Sequence, residues 1–480
     1  MSSALLPEGW EIATLGDLAA WGSGGTPSRS EPTFFNGKIP WVTISDLNDS
    51  VVTKTAANIS QMGLENSSAK LVSKGAVMVA LYGSIGKLGV AGCELTTNQA
   101  IAYAIPDDAA FNGSYLFHLL RSQRDQLAAV GSGVTQKNIY LGDLKVFKFW
   151  LAPRAEQTRI VTKVEELLSD LDAGVAELKA AQKKLGQYRQ SLLKAAVEGA
   201  LTAEWRAAQH AGHSGKTDKT APVETGAALL ARILTERRSR WETRQLAKFQ
   251  AQGKPPPKDW QSKYPAPVAP ETTGLPALPV GWVWASAEQL CDFITKGTTP
   301  SKGLDGSGAK VIPFLRVTNL TDQGSLDMAD KVFVSEQTHR SFLARSVVYP
   351  GDVLMNIVGP PLGQVSVVPD TFPEWNINQA IAIFRAVDGV VSGFLALTLL
   401  APPAQRWLKA RSKTTAGQTN LTLEVCRSLP IPLPPEAEQV ALIAVADDAI
   451  NRVAEQAKAI QISLKQSAAQ RKNILQAAFS

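Results

Sequence analysis

The sequence predicts an α+β protein. Two pseudo-twofold-related mixed α/β domains are expected, separated by an antiparallel pair of long coiled-coil helices. Three observations carry that prediction. An apolar residue recurs every seventh position from about Ile160 to Glu198. The same repeat returns 282 residues later. Six short motifs recur in one order in both halves.

The helices come first, because they set the frame. Val164, Leu171, Leu178, Leu185 and Leu192 fall seven apart, and Leu167, Gly174, Ala181, Tyr188 and Ala195 fill the second position of the same heptads. Such a seam, with charged residues between its members, predicts a coiled-coil helix. About 40 residues at 1.5 Å each make a rod of roughly 60 Å. A lone seam needs a partner, and the chain supplies one. Ala446, Val453, Ile460, Ser467 and Ile474 repeat the first position, with Ile450, Ala457 and Leu464 between them. The expected partner-helix seam is therefore Val164, Leu171, Leu178, Leu185, Leu192, Ile450, Val453, Ile460, Leu464 and Ile474. Antiparallel pairing would give a frame with an approximate twofold. Duplex DNA has that symmetry, and dimeric DNA readers place their modules roughly 34 Å apart.

The globular parts repeat as well. Leu6-Pro7-Glu8-Gly9-Trp10 returns as Leu278-Pro279-Val280-Gly281-Trp282, and Gly25-Thr26-Pro27-Ser28 as Thr298-Thr299-Pro300-Ser301. Ile39-Pro40-Trp41 with Ser45-Asp46-Leu47 returns as Ile312-Pro313-Phe314 with Thr318-Asn319-Leu320. Asn98-Gln99-Ala100-Ile101-Ala102 returns unchanged from Asn378. Thr135-Gln136-Lys137-Asn138 returns as Gly417-Gln418-Thr419-Asn420, and Ala155-Glu156-Gln157 as Ala437-Glu438-Gln439. Ala76 to Leu81, Val353 to Val358, Ala100 to Ile105 and Ala380 to Phe384 read as buried strands. Tyr115 to Val130 and Phe394 to Leu408 have helical spacing. Trp10 and Trp282 are expected to anchor each domain start in its core.

A chain of 480 residues exceeds one core, so two or three domains are expected. The longest apolar runs, such as Phe394 to Leu400, are too short to span a membrane. The N-terminus lacks a basic stretch followed by an apolar one, so no signal peptide is expected. Cys93, Cys291 and Cys426 are lone residues, which suits a reducing cytoplasm. His210 and His213 have no cysteine near them and read as surface, and no metal set is expected. The net charge of +6 lies wholly in residues 154–277, which hold 20 Lys/Arg against 14 Asp/Glu. Much of it falls on a helix predicted over 227–250, with Arg232, Arg237, Arg238, Arg240, Arg244 and Lys248. A proline-rich tract from Pro255 to Pro279 follows and reads as a semi-rigid spacer. The helix either carries a solvated basic face or meets phosphates or a partner.

Candidate DNA contacts follow from residue chemistry. Thr26, Ser28 and Arg29, with Thr299, Ser301 and Lys302, offer hydroxyls and cations suited to phosphates, although a plain turn cap needs the same residues. Gln136 and Asn138, with Gln418 and Asn420, could pair bidentately with adenine. Both copies share them, which also fits a structural role. Lys137 and Thr419 differ between the copies in that turn and are the better readout candidates. Arg411 and Lys413 form a basic pair just before it. Tyr82-Gly83-Ser84-Ile85-Gly86-Lys87 lacks the spacing of a phosphate loop; it reads as a strand-to-strand turn with Lys87 on a DNA phosphate. Asn98-Gln99 and Asn378-Gln379 read as buried, hydrogen-bonded structure. Catalytic residues are expected to be none: Gly359-Pro360-Pro361-Leu362, Ala401-Pro402-Pro403-Ala404 and Leu433-Pro434-Pro435-Glu436 all lack the polar start and aromatic end of an amino-methyltransferase loop.

The paired Leu-Pro-x-Gly-Trp starts, Thr-Pro-Ser loops, Asn-Gln-Ala-Ile strands, Gln-x-Asn turns and Glu-Gln entries into heptad helices resemble the specificity subunit of a Type I restriction–modification system. Leu201-Thr202-Ala203-Glu204-Trp205-Arg206 and the basic helix resemble its extended subclass. The resemblance implies residues 1–153 and 278–435 as target recognition domains, 154–200 and 436–480 as central and C-terminal helices, and 201–277 as a basic, proline-rich spacer. It implies a bipartite, asymmetric double-stranded DNA site, two adenine-N6 methyltransferase subunits and restriction subunits. No cofactor is expected on this chain; S-adenosylmethionine, ATP and Mg2+ would be used through other subunits. Two other readings stand beside it: a self-contained DNA-modifying enzyme, and a coiled-coil scaffold without DNA readout.

Overall fold

The computed structural model describes residues 7–106, 112–131, 138–213, 224–300, 309–321, 324–415 and 417–479. The chain divides into two compact units, residues 1–181 with 459–480, and residues 182–458. Each unit holds one globular domain and one end of each long helix.

In the first unit, a five-stranded sheet runs in the order Ala19–Ser23, Ile101–Pro106, Val77–Ala80, Leu88–Ala91, Ser50–Val52. Its pairings are antiparallel except at the edge, where Ser50–Val52 runs parallel to Leu88–Ala91. A second sheet places Phe35–Val42 between Ala57–Ile59 and Thr96–Thr97. A two-stranded ladder of Glu11–Thr14 with Lys148–Leu151 joins the domain's beginning to its end. The second unit repeats this plan. Cys291–Lys296, Ile381–Ala386, Val353–Asn356 and Val365–Val367 form the equivalent sheet, Lys310–Leu315 centres the smaller one, and Val283–Ser286 pairs with Pro430–Leu433. The register is the same: Ser23 faces Ala102, and Lys296 faces Ala382.

The expected helical stretches each break in two. Tyr115 to Val130 is Gly113–Ser122 followed by Arg124–Val130. Phe394 to Leu408 is Ser392–Leu400 followed by Pro402–Arg411. Pro402 is the cause of the second break: it cannot donate within a helix, but it fits the first position of a new one.

The first long helix is Arg154–Val197 and the second Glu436–Ala478. In the first unit, Val164, Leu168 and Leu475 are buried together, with Ile160, Ile474 and Ala478 beside them. Leu168 thus points inward where the heptad put Leu167, which is 37% exposed. The helix start packs on its domain too, with Val161 in the domain core. A stripe serving both contacts is wider than a two-position seam. Leu171 and Leu178 are half-buried, and Gly174 is exposed. Phe479 closes the domain core, its ring 5.0 Å from that of Tyr115. In the second unit, Leu193, Ala196 and Val197 from the end of the first long helix enter the core with Leu442 and Ala446. Leu185, Leu192 and Ile450 are half-buried there and Val453 is buried, whereas Tyr188 is exposed. Ile460, Leu464 and Ile474 are half-buried in the first unit.

The repeated motifs meet where each domain joins its helix. The Trp10 indole donates to Glu156 at 3.0 Å, and the Trp282 indole to Glu438 at 2.9 Å. The next residue is a buried amide. Gln157 accepts from the Asn112 backbone N–H and donates to Ala152 O; Gln439 accepts from Val391 N–H and donates to Gly389 O. Carboxylates in the first turn of a helix also suit its positive end. The second copy is reinforced. Glu438, only 2% exposed, takes a salt bridge from Arg206 and a 2.7 Å hydrogen bond from Thr202, and Arg206 lies over the Trp282 ring.

The spacer, expected to be semi-rigid, packs on its own unit. Its helix, Gly226–Ala251, buries Leu229 and Ile233 in the core of the second unit. Trp260 stacks on Trp241 with ring centres 5.7 Å apart, and Tyr264 meets Trp241 edge-on. Further along, Ser286 donates to Val268 O and Trp284 to Pro276 O. Aromatic burial folds the proline-rich tract back along its own unit.

Replacing Glu438 by Gln leaves the part-buried Arg206 without a charged partner and is expected to cost about 3 kcal/mol. Glu156→Gln is expected to cost about 1 kcal/mol, because Trp10 keeps an acceptor. Urea unfolding followed by hydrogen exchange in each unit checks the contrast; equal losses would remove the role given to Arg206.

Candidate nucleic-acid interface

Two loop clusters lie side by side in the sequence motifs of each unit, and the fold explains both. The first is the Thr-Pro loop. Gly24 and Gly25 bond back to Ile101 O and Thr97 O, and the Trp41 indole donates to Gly25 O at 3.0 Å. A Cβ on Gly25 would lie 2.3 Å from the Ala69 nitrogen, so only glycine fits this approach. The Thr26 hydroxyl donates to the Gln99 side-chain oxygen. Thr299 makes the same bond to Gln379. The Asn-Gln pairs are therefore hydrogen-bonded, but they are not buried strand residues. Gln99 and Gln379 are exposed, in turns that lead into Ile101–Pro106 and Ile381–Ala386, while Asn98 and Asn378 fold their side chains onto the backbone N–H two residues on. Ser28 is paired with Ser30 at 2.7 Å, and Arg29 is exposed. Ser301 and Lys302 lie outside the described residues.

The second cluster joins two motifs that are far apart in sequence. Tyr82 to Lys87 turns between strands Val77–Ala80 and Leu88–Ala91, as Ala80 N–H bonds to Lys87 O. Gly83 and Gly86 have φ of +64° and +79°, which the turn requires. Lys87 itself is half-buried. Arg124 clamps this turn, donating to Gly86 O at 2.7 Å and pairing with Asp49. Tyr82 forms a β-bridge with Asn138, whose side-chain oxygen is buried without a partner. Gln136 and Lys137 lie outside the described residues.

In the second unit the same place holds a β-hairpin. Lys413–Thr415 pairs with Gln418–Asn420, which pairs in turn with Val358–Gly359. Gly417, at φ +79° and with open space around it, makes the tip. Gln405 stands where Arg124 stands in the first unit, donating to Gly363 O at 2.9 Å and Leu399 O at 2.6 Å. Lys413 and Gln418 are exposed, and Thr419 and Asn420 are half-exposed. Arg411 lies over the Trp407 ring, 4.1 Å from its centre. A two-stranded ribbon with exposed amides, hydroxyls and cations has the width and chemistry to enter a major groove.

Some contributors escaped the sequence reading. Arg345 reaches Thr298 at 3.3 Å beside the Thr-Pro loop, 47 residues away in sequence. No local motif marks it. Arg406 and Lys409 precede Arg411 and Lys413 at helical spacing, a signal that was readable. The spacer helix goes the other way. Arg237 donates to Glu288 O, Arg240 pairs with Asp292, Arg238 with Glu242, and Arg232 with Glu224, Glu236 and Glu436. These four arginines are held by the protein itself, whereas Arg244 and Lys248 are exposed and meet no carboxylate among the described residues. Burial pushes the Cys426 thiol up to about 12 and Cys291 up as well, so neither is poised as a nucleophile. Among the described residues no helix is long and apolar enough to cross a membrane.

Residues 7–184 match the Type I restriction modification DNA specificity domain. The chain is 26% identical over 345 residues to the Type I restriction enzyme EcoBI specificity subunit of Escherichia coli, covering 71% of this chain and 60% of that protein. It is 28% identical over 193 residues to the EcoR124I/EcoR124II specificity subunit of Escherichia coli, covering 38% and 48%. With the MjaIX specificity subunit of Methanocaldococcus jannaschii it shares 26% over 162 residues, covering 33% and 37%. The matched stretches thus span from just over a third to three fifths of these relatives. A chain solved in work on complex assembly and conformational transition of the type I R-M system has the same fold, with a TM-score of 0.66 at 18% identity and 99% of each chain covered.

Removing the Gln405 amide frees the turn that carries the hairpin. Gln405→Ala loses two hydrogen bonds and is expected to lower the stability of the second unit by about 1–2 kcal/mol. A lower urea midpoint with an unchanged slope would be the signature, and an unchanged midpoint would show that the turn holds without it.

Proposed function

We propose that the chain, whose residues 7–184 match the Type I restriction modification DNA specificity domain, is over its whole length a non-catalytic DNA specificity subunit. Its two domains would read the two halves of a bipartite, asymmetric duplex site. The single observation that carries this reading is the repeat. One fold is written twice, with the same strand register and the same Trp–Glu junction, while the exposed loops differ between the copies. A common frame with divergent loops is what two different half-sites require.

Methyltransferase and restriction subunits would assemble on this chain and supply the chemistry, with S-adenosylmethionine, ATP and Mg2+ held by them. Residues 1–153 and 278–435 would be the recognition domains, joined by helices 154–200 and 436–480. The candidate contacts divide by chemistry. In this reading Gln418, Thr419 and Asn420, with Gln136, Lys137 and Asn138 in the first copy, would meet base edges. Thr26, Ser28, Arg29, Lys87, Thr299, Ser301, Lys302, Arg411 and Lys413 face phosphates. Phosphate contacts position the domain, and base contacts specify the sequence.

The test is methylation by the complex assembled with the methyltransferase subunit, over a duplex library varied in each half-site. Thr419→Ala is expected to relax the half-site read by the second domain alone, by about 1–3 kcal/mol at one base pair. A uniform loss over all sequences would make Thr419 a positioning contact. Methylation or tight S-adenosylmethionine binding by the purified chain alone would put the self-contained enzyme in place of this reading.

A further inference from the structure

The two units share a fold but differ in charge beside the second loop cluster. Arg124 and Gln405 hold the equivalent turns, and three residues further on Leu127 and Leu408 are the equivalent buried leucines, each 1% exposed. That alignment puts Asp125 opposite Arg406 and Ala128 opposite Lys409. In the second unit Arg406, Lys409, Arg411 and Lys413 are all exposed, and among the described residues none of them pairs with a carboxylate. Helix Pro402–Arg411 carries the first three, and the hairpin strand that follows carries Lys413. The Trp407 ring beneath Arg411 and a 3.5 Å hydrogen bond to Trp407 O hold that guanidinium, and its remaining N–H groups can donate to a phosphate. In the first unit the cations at this place are paired: Arg121 and Arg124 with Asp49, and Arg471 with Asp172. Asp125 binds Lys472 at 2.6 Å, and Ala128 carries no charge.

From this difference we propose that the second domain grips the DNA backbone with a ridge of four unpaired cations that has no counterpart among the described residues of the first domain. The inference rests on the DNA-reading role proposed above and adds a division of labour to it. The second domain supplies a large share of the sequence-independent affinity. The first contributes fewer phosphate contacts at the same place, through Lys87. Each phosphate neutralised on duplex DNA adds about 0.9 to the slope of log affinity against log salt, so four such contacts amount to about 3.6.

The experiment measures binding of a random-sequence duplex of about 40 base pairs by the full chain assembled with its methyltransferase subunit, by fluorescence anisotropy at several salt concentrations. The variant combines Arg406→Gln, Lys409→Gln, Arg411→Gln and Lys413→Gln. A salt slope shallower by about 3 to 4, with half-site preferences in methylation unchanged, is the expected result. A second variant works in the opposite direction: Ala128→Lys in the first domain should steepen the slope by about one. An unchanged slope in the fourfold variant would overturn the ridge, as would a loss confined to one base pair. Loss of assembly with the methyltransferase subunit, at an unchanged slope, would make the ridge a protein contact and also overturn it. A wild-type complex without salt-dependent duplex binding would be a different failure, because it sinks the specificity reading itself.

Discussion

Each domain is held to its long helix by one carboxylate in that helix's first turn. Glu156 takes the indole of Trp10, and Glu438 takes that of Trp282. The adjacent Gln157 and Gln439 hold the domain's own helix start and the segment leading into the long helix. The start of a domain, its end and the root of the helix therefore meet at one buried point. A strand ladder beside it, Glu11–Thr14 with Lys148–Leu151 or Val283–Ser286 with Pro430–Leu433, carries that constraint into the sheet. Because a buried polar group must keep its partners, the rotation of the domain about its helix has little freedom. Whatever the loops touch is therefore placed by the helix.

The same logic explains where the copies have been free to change. Strands that face the core share register and even sequence, as in the Ile-Ala starts of Ile101–Pro106 and Ile381–Ala386. Turns beside Arg124 and Gln405 keep their backbone hydrogen bond while the clamp residue, the turn and the neighbouring charges all differ. A reading surface built on a rigid scaffold can vary without disturbing the core. The spacer shows the opposite economy: a strongly basic helix turns its arginines onto nearby carboxylates and carbonyls and serves as a strap for the second unit.

The sequence by itself determined the duplication, the two long helices and the strands that fill each core. Those features rest on local periodicity and on motif order, which survive without knowledge of distance. It also marked Trp10, Trp282, Glu156 and Glu438 as repeated, though not as partners. Tertiary structure alone decided the rest. Leu168 replaced Leu167 in the seam because the helix root packs on a domain as well as on a helix. Gln99 and Gln379 came to the surface because their turns had to meet the Thr-Pro loops. Arg345 reached Thr298 across 47 residues, and arginines of the basic helix met partners as distant as Asp292 and Glu436. Side-chain pairing of this kind depends on which surfaces the fold brings within a few ångströms, and no periodicity in the chain records it.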